Sequence, residues 1–138
     1  MLKYVSFFLI LVFVIACDNN IEYESDELKG SQIEPLEITY ENVQKIFTIK
    51  CIACHNNTAY SLNYLSLEAD VAFDNLINIK SQQRNNIDLI KPFEPENSYL
   101  YMKLIGNDIE GTKMPQNSAL PTREIELIQK WIQEGAKL

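Results

Sequence analysis

The chain has 138 residues, of which 46% are hydrophobic and 22% charged, and its net charge is −7. That length suits one small domain plus a tail. The sequence has no basic stripe of the kind that tracks a nucleic-acid backbone and no internal repeat, so neither a nucleic-acid partner nor a repeat architecture is expected.

At the N-terminus, Lys3 is followed by an apolar run from Tyr4 to Ile15. The run is too short for a comfortable membrane span and suits the core of a signal peptide. Val14-Ile15-Ala16-Cys17 resembles a bacterial lipobox, in which the peptide is cut before the cysteine and the cysteine is lipidated. The competing reading is a short anchoring helix with an incidental cysteine, and both put the body of the protein outside the cytoplasm. The acidic balance is concentrated next: Asp18 to Glu37 hold seven acids against Lys29 alone, whereas Ile38 to Leu138 hold twelve acids and ten bases. A segment with net charge and few apolar groups stays solvated and flexible. The expected organisation is a signal peptide over 1–16, a lipidated acidic tether over 17–38 and a folded domain over 39–138.

Within the domain, Thr39 is placed to cap a helix from Tyr40, with Val43, Ile46 and Phe47 on one face. The polar stretch from Asn56 to Asn63 reads as a loop. Ser66 is placed to cap a second helix near Leu67 to Ile77. Lys80 to Asn86 is a polar loop, Ile87 to Ile90 is short and apolar, and Pro92 and Pro95 keep the next stretch extended. Asn97 or Ser98 opens a third helix through Ile105, with Gly106 as a left-handed stop. Asn107 to Pro121 is loop. Thr122 caps a last helix over Arg123 to Glu134, whose apolar face carries Ile125, Leu127, Ile128, Trp131 and Ile132 and which stops at Gly135. No long run alternates with period two. The expected class is all-α, about four helices with long loops, and loops of that length make sense when they wrap a cofactor.

The chemistry concentrates at Lys50 to Asn57, KCIACHNN. The chain has three cysteines and one histidine, and that histidine directly follows two of the cysteines. Cys51, Cys54 and His55 form C-x-x-C-H, the attachment pattern of a c-type haem. The thiols add across the haem vinyl groups, and their spacing holds the histidine under the iron. A structural zinc site wants four ligands, often as two separated pairs, and the sequence supplies one cluster. A thiol–disulfide exchanger has its cysteine pair at a helix N-terminus in an α/β fold. Here the pair follows the C-terminal end of a predicted helix and no strand–helix alternation is present. Haem c also agrees with the export signal, because it is attached outside the cytoplasm. For the opposite face of the iron, two methionines remain after the signal. Met114 lies in a loop ahead of Pro115, in GTKMPQNSALP; Met102 lies within the third helix beside Leu100 and Leu104, where core packing is the simpler role. Met/His ligation raises the reduction potential and marks electron-transfer sites.

These pieces resemble class I c-type cytochromes and, more closely, the small haem domains called planctomycete-type cytochrome c. The likeness rests on KCIACH, LNYLSL, IKPFEPENSYLYMKL and the ending KMPQNSALPTREIELIQKWIQEGA, and covers about Tyr40 to Leu138. It implies one covalent haem c, with Cys51 and Cys54 as attachment points, His55 as proximal ligand and Met114 as distal ligand. It also implies that Phe47 and Trp131 pack where the first and last helices cross. Catalytic roles of larger proteins containing such modules are not carried over. Pro92 is a candidate to offer its carbonyl to the His55 ring N–H.

The expectation is a cell-envelope lipoprotein, anchored through Cys17 on the periplasmic side of a bacterial membrane, that carries single electrons between redox proteins and is not an enzyme. Two other classes stay open: a haem sensor or peroxidase-like enzyme with an open distal site, and a scaffold subunit of a redox complex whose haem is structural.

Overall fold

The computed structural model describes residues 36–58 and 65–138. Expectations for the signal peptide, for Cys17, for most of the tether and for residues 59–64 lie outside the described residues. Contacts divide the chain into Met1–Ile33 and Glu34–Leu138, and the fold below belongs to the second unit. Among the described residues there are four α-helices and no strand, so the domain is all-α.

Helix α1 spans Tyr40–Lys50. Thr39 is extended, with φ −128° and ψ 153°, and its Oγ1 accepts from the Asn42 N–H at 3.3 Å, which satisfies one of the helix's unpaired first-turn donors. Glu41 and Lys50 sit at the ends where the helix dipole favours their charges. Val43, Ile46 and Phe47 are buried, as their helical spacing requires. Helix α2 is one short piece, Ala72–Leu76. A 3-10 turn at Pro95–Asn97 leads into α3, Tyr99–Ile105, which stops at Gly106 with φ 78°. Helix α4 spans Thr122–Gln133 and ends ahead of Gly135, where φ is 101°.

Helices α1 and α3 both pack on α4. The core between them contains Phe47, Leu104, Leu127, Ile128, Trp131 and Ile132, all buried. Phe47 and Trp131 thus share the α1–α4 core, as expected, and the ring directly against the indole is Tyr40, with centroids 5.5 Å apart. Tyr40 meets Phe73 edge-on at 5.3 Å. The indole Nε1–H donates to the Lys137 carbonyl at 2.7 Å, so the one polar atom of this large side chain is satisfied. Phe93 takes the left-handed conformation, φ 70°, with its N–H donating to the Ile132 carbonyl at 2.8 Å. Its ring lies against Gly135, where a Cβ would come within 2.7 Å of it.

Three expectations are corrected. The second helix does not run from Leu67 to Ile77. Its first turn is lost because the Leu67 N–H donates to the His55 carbonyl at 2.9 Å and the Leu67 carbonyl accepts from Gln44 Nε2 at 2.9 Å. Those tertiary bonds hold the segment as a strap over α1. Ser98 stands at the start of α3 but does not cap it. Its Oγ donates towards the Glu94 and Lys91 carbonyls, at 2.9 and 3.3 Å, and accepts from the Lys91 N–H at 2.9 Å, pinning the proline-rich approach instead. Helix α4 begins at Thr122, one residue early, with Pro121 in the cap position and no side-chain cap bond.

Trp131→Ala removes the largest side chain of the α1–α4 crossing. A loss of about 3–5 kcal/mol in unfolding free energy is expected, the range for deleting a buried aromatic. Urea denaturation followed by far-UV circular dichroism measures it, and an unchanged midpoint would show that the crossing does not depend on the indole.

Candidate cofactor site

The site begins where α1 runs out. The Cys51 and Ile52 N–H groups still donate to the Phe47 carbonyl, at 2.8 and 3.0 Å. The Cys51 carbonyl then accepts from both Cys54 and His55, at 3.1 and 2.9 Å. Residues three and four apart in a helical turn lie on one face. The C-x-x-C-H spacing, folded in this way, turns Cys51, Cys54 and His55 to the same side, and all three line one cavity of about 910 Å³. That volume falls in the range of small-molecule and cofactor sites, about 300–1,000 Å³. Cys51 is half-buried and Cys54 is exposed, both as free thiols.

His55 is held at both ends. Its carbonyl accepts from Leu67, and its Nδ1 lies 3.2 Å from the Leu65 carbonyl. A carbonyl can only accept, so Nδ1 carries a proton, and in the neutral ring the lone pair is then on Nε2. This is the tautomer a metal-ligating histidine needs, with the carbonyl orienting the ring. The partner is Leu65 and not Pro92. The Leu65 carbonyl, just ahead of the cap expected at Ser66, carries no local signal that it faces His55.

Met114 lines the same cavity from the far part of the chain. Its N–H donates to the Lys103 carbonyl at 2.9 Å, which ties the loop to the last turn of α3. The Met114–Pro115 peptide bond is cis. The rest of the loop is tied by polar contacts: Arg84 Nη1 pairs with the Asp108 carboxylate at 2.8 Å, and the Glu110 N–H donates to the Tyr99 hydroxyl at 3.0 Å. Met102, by contrast, is 6% exposed within α3 and is not among the residues lining the cavity.

The cavity has two characters. Phe47, Leu89, Leu100, Leu104, Leu120 and Ile128 supply apolar wall, while Tyr99, Gln83, Lys80 and Lys103 supply polar wall. Burial pushes the Cys51 thiol up to about 11, with the charges of Glu124 and Cys54 adding to it. Glu124 Oε2 is itself buried with no hydrogen-bond partner among the described residues. A thiol raised in this way is the opposite of the acidified cysteine that drives thiol–disulfide exchange. Among the described residues no three or more His, Cys, Asp or Glu side chains are disposed to hold one metal ion between them.

The donor set fits a haem c: two thiols and an imidazole with a free Nε2 on one wall, a thioether elsewhere on the same cavity, and apolar side chains between. No helix among the described residues is long and apolar enough to cross a membrane. No family model, no curated protein and no solved structure matches the chain. The Leu65 carbonyl and Lys103 are the site residues that sequence reasoning missed. Neither has a local signal, since one acts through its backbone and the other is an ordinary helix lysine until the fold buries it.

In the haem-free chain at pH 8, iodoacetamide is expected to modify Cys54 well before Cys51, because Cys51 is shielded and its thiolate is scarce below a pKa of about 11. Peptide mapping over a time course reads the ratio. Equal rates would contradict the burial assigned to Cys51.

Proposed function

We propose that this protein is a monohaem c-type cytochrome, tethered to a membrane by lipid at Cys17, that passes single electrons between redox proteins in the bacterial cell envelope. The observation that carries the proposal is the convergence of Cys51, Cys54, His55 and Met114 on one cavity, although Met114 is distant from the others in sequence. When bound, the haem supplies a one-electron couple at its iron. Cys51 and Cys54 would hold it as thioethers, so that a small domain retains it without enclosing it. His55 would offer Nε2, the nitrogen that bears the lone pair in the tautomer whose Nδ1–H bonds the Leu65 carbonyl. Met114 would offer its sulfur, a soft neutral donor that favours the reduced iron and raises the potential. With His55 and Met114 both holding the iron, no site would be left there for bond-making chemistry, so the reading is electron transfer and not catalysis. A flexible acidic tether would confine the domain near the membrane and raise its effective concentration towards partners there.

Expression with haem-attachment machinery tests the proposal. The wild type is expected to keep its haem on a denaturing gel, and Cys51→Ala with Cys54→Ala to lose it. The oxidised protein is expected to show the weak far-red sulfur-to-iron band. Met114→Ala abolishes the band and lowers the reduction potential, and Met102→Ala leaves the band in place. Bound haem without that band in the wild type would exclude methionine ligation and favour an open-site sensor or peroxidase. Separately, Cys17→Ser is expected to move the protein from the membrane fraction to the soluble fraction, as seen by immunoblot; unchanged partition would exclude lipid as the anchor.

A further inference from the structure

Lys103 is a buried cation that makes no ion pair among the described residues. It is 7% exposed. An ammonium has three donors. One goes to the Glu110 carbonyl at 2.8 Å, and the Nζ stands 5.8 Å from the centroid of the Tyr99 ring. Both partners are neutral. Lys45, Lys80, Arg84 and Lys91 each pair with a carboxylate, and none of these ion pairs involves Lys103. Taking an ammonium out of water is costly unless an anion accompanies it. Burial accordingly pulls the Lys103 pKa down, against the opposing charge of Glu110.

Lys103 lines the same cavity as Cys51, His55 and Met114. Its cavity neighbours do not neutralise it. Lys80 is committed to Asp88 at 2.7 Å, and the Tyr99 hydroxyl donates to Gln83 Oε1 at 3.1 Å. That last bond turns the oxygen of the Gln83 amide to Tyr99 and leaves its N–H₂ group as a donor. Asp74 also lines the cavity but makes no ion pair with Lys103, and the polar wall nearest Lys103 is rich in donors, while Leu89, Leu100 and Leu104 line the cavity as apolar wall. A molecule complementary to both is largely apolar and carries a carboxylate at one edge.

We infer that Lys103 is the carboxylate-binding residue of this cavity and, resting on the reading above, that it holds a propionate of the haem. Lys103 then has two positioning tasks. Its carbonyl anchors the Met114 N–H, and its ammonium anchors the opposite group, so one residue of α3 relates the distal loop to the edge of the cofactor. The cation also disfavours the additional positive charge of the oxidised iron.

The test uses the haem-bearing protein. In the reduced, diamagnetic wild type, nuclear Overhauser contacts are expected between the Lys103 ε-methylene protons and the propionate methylene protons. Contacts from Lys103 to Tyr99 and Glu110 alone overturn the inference. Lys103→Gln is expected to shift the reduction potential downwards while keeping the far-red band, and Lys103→Arg to restore most of the shift. A Lys103→Gln protein with its band intact and an unshifted potential overturns it as well. A chain that takes up no haem overturns the functional proposal together with this one; a haem-bearing chain without the contact overturns this one alone.

Discussion

The Cys51 carbonyl accepts two backbone hydrogen bonds, from Cys54 and His55, and the site is built outward from that turn. The bonds continue α1 just far enough to bring three chemically distinct side chains to one face. The turn is in turn held by α1, whose buried face is fixed against α4. Thr39, Phe47 and Trp131 therefore govern where His55 stands. A shift of α1 along α4 by one residue would rotate the cysteine turn by about 100°, the angle between neighbours in a helix with 3.6 residues per turn.

How much of this was legible in the sequence depended on the range of the interactions concerned. Helices α1, α3 and α4 follow from periodicity and from local stops such as Gly106 and Gly135, because those signals act within a few residues. The cysteine motif was legible for the same reason: its chemistry is contained in its spacing. The strap over 65–67 was not. Ser66 and Leu67 look like the cap and opening of a helix until His55 and Gln44 claim the backbone groups of Leu65 and Leu67, and those partners lie 10 to 23 residues away. Ser98 has the residue type of a cap and the position of a cap, yet its hydroxyl bonds backward to Lys91 and Glu94. Lys103 reads as a solvent-facing residue at the end of a helix and becomes buried only when the 106–118 loop folds over it.

The two halves of the cavity are held by different forces. The side bearing Cys51 and His55 belongs to a packed apolar core. The side bearing Met114 is attached through discrete polar contacts, from Met114 to Lys103, from Arg84 to Asp108 and from Glu110 to Tyr99. Segments held mainly by hydrogen bonds and exposed ion pairs open at lower free energy than packed helices do. The distal loop can then loosen while α1, α4 and the cysteine turn remain folded. A methionine on such a loop, serving as the ligand proposed above, could depart without unfolding, which would separate the lability of the site from the stability of the domain.

The chain carries one tryptophan, and it lies in the α1–α4 crossing. Its emission is therefore a single-site optical signal, reporting on the packed half of the molecule and silent about the loop that bears Met114. Tyr40 against the indole and the Lys137 carbonyl on its Nε1–H define one local environment. Fluorescence of the haem-free chain, without added dyes, would follow the core as one observable, leaving the Met114 loop to be followed by a probe of its own.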